Sequence, residues 1–169
     1  MAVARKKVIV RSFGGALAWG YLPQDGFVDG GGVDLLDSAG RVSRIVLSEI
    51  KTIAIVKDFN SQDEVDPERI GRRSFLGRPR GEGLWLKVEF LDGDLLEGLM
   101  HFDVQFMDVF MVDYGFRMVP PDARSNTQSL FIPRSAVTKV EVLGYVGAPG
   151  KKKAKPATDA VEQPRLFED

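Results

Sequence analysis

The chain has no cysteine and only one histidine, His101, in 169 residues. The absence of thiols excludes disulfides, thiolate metal sites and cysteine nucleophiles. Any imidazole-based metal site or catalytic triad would have to include His101. No serine, threonine or lysine nucleophile accompanies His101 in a recognisable motif, which favours a structural role for it. We therefore expect no catalytic residue, no metal site and no cofactor.

Long apolar runs are also missing, since no stretch approaches the roughly 18 residues of a membrane span. The N-terminus, MAVARKKVIVRSFGG, begins with the basic residues of an export signal. Its apolar run ends at Arg11 after three residues, which is too short for export. We expect a cytoplasmic protein that does not associate with membranes.

Charge of one sign does not dominate the chain, whose net charge is -1. Residues 83–145 are acidic, with nine acidic and five basic side chains. A protein that binds nucleic acid over its whole surface would have a basic excess instead. Positive charge is confined to local clusters.

What the chain does contain is an internal repeat. Residues 8–22, VIVRSFGGALAWGYL, align without a gap on residues 86–100, LKVEFLDGDLLEGLM. Both segments alternate apolar residues and turn at a glycine, as a hairpin with one buried face does. Each also has a glycine inside its second strand, which is typical of a bend or bulge at a barrel corner. The alignment pairs Val10 with Val88, Gly15 with Gly93, Leu17 with Leu95 and Gly20 with Gly98.

The two copies end alike as well. IKTIAIV (50–56) corresponds to VTKVEVL (137–143), and a short apolar strand precedes each of them. With a middle strand in between, each copy offers about five strands, the number that a small barrel requires. We predict an all-β protein with two tandem five-stranded barrels, at residues 1–57 and 84–145. An arginine-rich linker (58–83) joins them, and a flexible tail (146–169) follows.

This pattern resembles the Sm-like (SH3-like) small barrel, and the second half also resembles an uncharacterised family of bacterial domains. RNA-binding Sm proteins have an asparagine after the second strand and an Arg-Gly pair in the closing turn. Neither signature is present here, where the closing turns read LSEI and IPRSAV. The resemblance therefore implies a fold and not RNA binding.

A cluster of arginines in the linker is a candidate phosphate-binding or nucleic-acid-binding site, because guanidinium groups pair with phosphate in a bidentate manner. The spacing of Arg69 and Arg73 resembles that of domains of the PilZ family, which bind cyclic di-GMP, but the Asp/Asn-x-Ser-x-x-Gly motif of that family is absent. Alternatively, the arginines pair with acids of the linker and of the second barrel. The cluster consists of Arg69, Arg72, Arg73, Arg78 and Arg80.

The tail ends in QPRLFED, which places two large apolar residues after a segment rich in lysine, alanine and proline. QPRLF resembles the peptide with which bacterial replication and repair proteins bind the DNA sliding clamp. On that resemblance Gln163 binds at the pocket rim, and Leu166 and Phe167 fill an apolar pocket. Alternatively, the tail folds back onto its own barrel.

Two further segments bear on partners. VQFMDVFMV (104–112) is apolar enough to be a core strand or an edge for self-association. The acidic residues Asp92, Asp94 and Glu97 lack the ligand number of a calcium loop and are interpreted as turn chemistry. The sequence thus favours a non-catalytic binding or adaptor protein. The alternative is a nucleotide- or nucleic-acid-binding protein that uses the linker arginines.

Overall fold

The computed structural model describes residues 4–24, 26–60, 62–101, 114–122 and 125–147. Within these ranges nearly all regular structure is β, which confirms the predicted class. No helix in them is long and apolar enough to span a bilayer. The strands are β1 (Arg5–Ser12), β2 (Leu17–Pro23), β3 (Val28–Asp29), β4 (Gly32–Leu36), β5 (Val42–Val46), β6 (Ile50–Val56), β7 (Gly83–Phe90), β8 (Leu95–Met100), β9 (Gly115–Met118), β10 (Thr127–Pro133) and β11 (Val137–Val146). Single 3₁₀ turns, Leu47–Glu49 and Arg134–Ala136, precede β6 and β11.

The strands form two sheets. The larger has eight strands, ordered β3-β4-β2-β1-β6-β10-β9, with β5 paired to β4, and the smaller is ordered β11-β7-β8. Over the described residues neither sheet closes into a barrel, so two separate five-stranded barrels are not confirmed. The reason is that β10, a strand of the second half, pairs with β6, the last strand of the first half.

Corresponding strands of the two halves nevertheless pair in the same register. Val8 lies opposite Gly20 in the first hairpin, as Leu86 lies opposite Gly98 in the second. The closing strands agree too, because Val8 pairs with Ile55 and Leu86 with Val142. The β4–β5 and β9–β10 pairs also correspond, because in each the second residue of the first strand lies opposite a residue five positions before the closing strand. Val33 lies opposite Ile45, and Phe116 lies opposite Ile132. Residues that correspond in the sequence repeat therefore occupy corresponding positions in the strand pairing.

The junction between β6 and β10 joins the apolar cores of the two halves. Phe131 of β10 is buried in the cluster of the first half, where its ring meets Phe27 edge-on at 5.0 Å. In the opposite direction, Ile9 and Ala54 are buried in the cluster formed mainly by the second half. Each half thus completes the core of the other.

The segment between β6 and β7 is packed against the sheets and is not a free linker. Glu68 and Pro67 are buried in it, and Ile70 packs against the core. The backbone carbonyl of Glu68 accepts hydrogen bonds from the hydroxyls of Ser125 and Thr127, each at 3.1 Å. The strands that follow this segment run from the start of β7 at Gly83 to the end of β11 at Val146.

Candidate functional site

An open groove with apolar walls lies on the first half, beside β2. Its volume is about 590 Å³, within the range of sites that hold a small molecule or a peptide side chain. Strand β2, the β1–β2 turn, the β4–β5 turn and the segment after β6 all contribute to it. The residues that line it are Gly15, Leu17, Trp19, Gly20, Ser38, Phe59 and Glu64.

The two aromatic walls of the groove are fixed in place. The indole Nε1 of Trp19 donates a hydrogen bond to the backbone carbonyl of Phe59 at 3.2 Å. The Phe59 ring meets Tyr21 edge-on at 5.4 Å, and the Lys7 ammonium lies 5.7 Å from its centroid. The backbone N–H of Asp58 donates to the side chain of Asn126, which anchors this segment to the second half. Because these rings are already ordered, a ligand would lose little entropy in ordering them.

The rim of the groove carries negative charge. Glu64 is exposed and makes no hydrogen bond or ion pair with any residue that the structure describes. Asp37, next to the lining residue Ser38, accepts hydrogen bonds from the backbone N–H groups of Arg41 and Ala39, each at 2.9 Å. Its other carboxylate oxygen is paired with the Arg41 guanidinium at 2.8 Å, so the net negative charge of the rim comes from Glu64. The hydrogen bond from Arg41 is the main reason that the pKa of Asp37 lies below its usual range, although some desolvation opposes it. The groove therefore favours an apolar group with a cation beside it.

The linker arginines do not converge on one site. Arg69 donates to the side chain of Asn60 at 2.9 Å, Arg73 lies 3.4 Å from Asp94, and Arg78 donates to the backbone carbonyl of Tyr145 at 3.5 Å. These partners belong to three different parts of the molecule. Arg72 and Arg80 are exposed and make no such contact within the described ranges. Of the predicted pairings with acids, the structure contains the one between Arg73 and the second half.

The acidic hairpin is built partly as predicted. Asp92 accepts a hydrogen bond from the backbone N–H of Asp94 at 3.1 Å, which is turn chemistry. Both carboxylates also bind the ammonium of Lys51, a residue of the first half. For Glu97 the interpretation as a turn residue is wrong, because it lies in β8. Its carboxylate accepts hydrogen bonds from the Trp85 indole and from the backbone N–H of Phe75, both at 3.0 Å.

A second cleft, of about 370 Å³, lies between the halves and contains charged side chains that are already paired. Arg11 forms two hydrogen bonds to the buried carboxylate of Glu68, at 2.7 and 3.0 Å. The hydrogen bond to Glu68 raises the pKa of Arg11 despite partial desolvation. Because Arg11 is paired with Glu68, and Lys51 and Arg73 are paired with Asp94, the cleft is better suited to holding the halves together than to binding a ligand.

The remaining residues predicted to form a site either lie outside the described residues or belong to no site within them. Gln163, Leu166 and Phe167, together with residues 104–112, lie outside the described residues. His101 is exposed at the end of β8. Within the described ranges, no three His, Asp or Glu side chains converge as a metal site would require.

The groove is the feature that the sequence did not reveal. Trp19 fitted the alternation of a strand, which is also the pattern of an ordinary core residue. Phe59 stands in a polar context, KDFNSQDE, and such an isolated aromatic residue is the signal that could have identified a packed segment. Phe59 contacts Trp19 because the segment after β6 folds back across the first half.

Comparison with known proteins identifies a family but no characterised relative. No curated protein and no solved structure matches the chain. A family of unknown function, DUF6982, matches residues 4–144. The match spans both halves and the segment between them, and so is broader than the second-half resemblance noted in the sequence. The chain belongs to the DUF6982 family.

Proposed function

We propose that the protein is a non-catalytic binding or adaptor protein, and that its aromatic groove holds a large apolar side chain of a partner peptide. The observation that carries this proposal is the combination of two fixed aromatic walls, Trp19 and Phe59, with the carboxylate of Glu64, which has no partner among the described residues. The preferred peptide has leucine or an aromatic residue next to lysine or arginine. The apolar residue is buried against the rings, and the cation lies at the rim.

Selection of displayed random peptides on the full-length chain tests this proposal. The selection uses the Leu166→Ala/Phe167→Ala variant, because the tail itself contains Arg165-Leu166-Phe167 and could occupy the groove. We expect enriched peptides with an apolar–basic pair and micromolar affinity. Glu64→Lys should weaken their binding about tenfold, since it reverses the rim charge.

The matched control is Glu82→Lys, which makes the same charge change at an exposed glutamate that does not line the groove. It should leave affinity unchanged. Trp19→Leu should abolish binding, and its circular dichroism spectrum must remain that of the wild type for the result to count. Failure to enrich any peptide, or equal losses in Glu64→Lys and Glu82→Lys, would reject the groove as a binding site.

The tail supplies the second element of the adaptor. We propose that Gln163, Leu166 and Phe167 bind the bacterial sliding clamp and thereby tether the β-sheet part of the protein to it. Support comes from the QPRLF sequence and its position after a lysine- and proline-rich segment. Wild-type chain should bind purified clamp at micromolar strength, and Leu166→Ala/Phe167→Ala should not. Equal binding by both would exclude the tail as the tether.

Nucleic-acid binding is the second candidate function, favoured by the exposed guanidinium groups of Arg72 and Arg80, which have no partner in the described part of the chain. Such binding would weaken steeply with salt, and Arg72→Ala/Arg80→Ala would reduce the salt slope by about two. A salt-independent affinity would contradict this candidate. The broader expectations, that each half derives from an Sm- or SH3-like barrel and that the protein is cytoplasmic, belong to the same proposal. The first expectation rests on the matching strand registers of the two halves, and the second rests on the sequence.

A further inference from the structure

The pairing of β6 with β10, which we call the internal junction, leaves the edges of the two equivalent strands, β11 and β5, without a strand partner in the described part of the chain. It uses the last strand of the first half, β6, and the penultimate strand of the second half, β10. By the repeat, the equivalent strands are β11, the last of the second half, and β5, the penultimate of the first half. Among the described residues, β11 pairs only with β7 and β5 only with β4. Each therefore has one edge of backbone groups without a strand partner in the described part of the chain.

Exposed apolar side chains concentrate on these two strands. Of the twelve large apolar residues that are exposed among the described ones, six lie on β5 or β11. Val42 is 64% exposed and Val142 is 60% exposed. An edge strand with exposed apolar residues is a template for pairing with another strand. The six are Val42, Val46, Val140, Val142, Leu143 and Tyr145.

We propose that β11 of one copy pairs with β5 of a second copy, antiparallel, in the register that β6 and β10 use within the chain. The internal junction places Ile55 opposite Ser129 and Ile53 opposite Phe131. Transferred through the repeat, these pairs become Val142 opposite Val42 and Val140 opposite Arg44. Valine side chains across an antiparallel pair pack against each other, so the register brings exposed apolar residues of two copies together.

The association is heterologous, because each copy offers one β5 edge and one β11 edge. Copies therefore join head to tail, and they form a closed ring when the rotations between successive copies add up to a full turn. The new contact is weaker than the internal one. Phe131 is 4% exposed at the internal junction, whereas its counterpart Arg44 is charged and paired with Asp34 at 3.0 Å. We expect assembly to depend on protein concentration.

Two edge variants distinguish this arrangement from other modes of association. Val42→Asp blocks the β5 edge and Val142→Asp blocks the β11 edge, and both positions are too exposed to endanger folding. Each variant alone should be a monomer of 18.7 kDa, since no copy in the sample has a complementary edge. An equimolar mixture should form a heterodimer of twice that mass, through the intact β11 of one variant and the intact β5 of the other.

Sedimentation velocity of the full chain between roughly 1 and 300 μM measures these masses, because mass action drives assembly over such a range. Leu76→Asp, at a residue 83% exposed outside both strands, is the control and should assemble as the wild type does. Three outcomes would overturn the proposal. They are a monomeric wild type over the whole range, single variants that still assemble, and a mixture that stays monomeric. Assembly unchanged by either edge variant would point to residues 104–112 instead.

Discussion

At the scale of single residues, the most consequential charge is the buried carboxylate of Glu68. Its side chain is 3% exposed and is paired with Arg11, which is 28% exposed. Removal of one partner of a buried pair leaves a charge without compensation, which costs more than the pair itself contributes. The pair also spans the two halves of the molecule, because Arg11 lies in β1 and Glu68 is bonded to Ser125 and Thr127 through its carbonyl.

Arg11→Met is therefore expected to lower the free energy of unfolding by about 2 kcal/mol, somewhat less than for a fully buried pair, because Arg11 is partly solvated. The double variant Arg11→Met/Glu68→Gln should recover part of this loss, since it removes the orphaned charge. Urea unfolding followed by circular dichroism measures both values. A double variant less stable than Arg11→Met would contradict the assignment of the penalty to the charge of Glu68.

Asp92 gives the stability a predictable dependence on pH. Partial desolvation raises its pKa, but hydrogen bonds from Lys51 and from the backbone of Asp94 outweigh it, so the pKa of Asp92 lies below its usual range. A carboxyl group with a lowered pKa stabilises the folded state above its unfolded pKa. That contribution is lost as the pH falls through the folded value.

The midpoint of urea unfolding should accordingly fall between about pH 4 and pH 2, and the fall should be smaller in Lys51→Met. Because Asp92 is exposed, the effect is modest and should shrink in high salt. An acid-induced fall equally steep in wild type and Lys51→Met would show that other carboxylates are responsible.

At the scale of strands, the glycines inside β2 and β8 show what the sequence could establish. Their matched positions indicated bends, and the structure shows why no side chain fits at either position. A Cβ at Gly20 would lie 2.6 Å from the backbone oxygen of Leu36, and one at Gly98 would lie 2.5 Å from the Met118 sulfur. Strand pairing thus follows from the alternation and the glycines, which are local signals. The β6–β10 pairing was not predictable from them, because either half could equally have closed on itself.

Gly20→Ala should destabilise the protein more than Gly98→Ala. At Gly20 the nearest atom is a backbone oxygen at 2.6 Å, whereas at Gly98 the nearest atom belongs to the Met118 side chain and the nearest backbone atom, the Val119 oxygen, is 3.0 Å away. We expect a loss of about 2–3 kcal/mol for Gly20→Ala and about 1 kcal/mol for Gly98→Ala. Gly14→Ala is the control, because its Cβ would meet nothing within 4 Å. Thermal unfolding of the three variants gives the order, and equal losses at Gly20 and Gly98 would be inconsistent with the contacts.

The candidate groove shows the same limit of sequence reasoning. Its strand residues, Leu17 and Trp19, were visible as part of an alternating pattern. Phe59 and Glu64 come to them only because the segment after β6 folds back across the first half. The contacts of the linker arginines were not predictable for a related reason. Residues that are close in sequence in an irregular segment were drawn apart by separate partners, such as Asn60 and Asp94.

At the scale of the whole molecule, the exchange of core residues predicts that the halves unfold together. Phe131 is buried with the first half, and Ile9 and Ala54 are buried with the second. Neither half could keep these side chains from water if the other were unfolded. Apolar burial is the main stabilising term of a fold, so a state with one half unfolded would lose much of the stability of the other.

The two tryptophans allow a direct test, because Trp19 lies in the first half and Trp85 in the second. In Trp85→Phe the remaining indole reports β2 of the first half and its contact with the core cluster formed mainly by the second half. In Trp19→Phe the remaining indole reports the second half. Within each variant, the urea midpoints from fluorescence and from circular dichroism should coincide. Phe131→Ala, a change in the second half, should destabilise the fold reported by Trp19 by about 3 kcal/mol, since it leaves a cavity in the first core. Two separate transitions, or a Trp19 signal indifferent to Phe131→Ala, would mean that the halves are independent domains and that β6–β10 is only a contact between them.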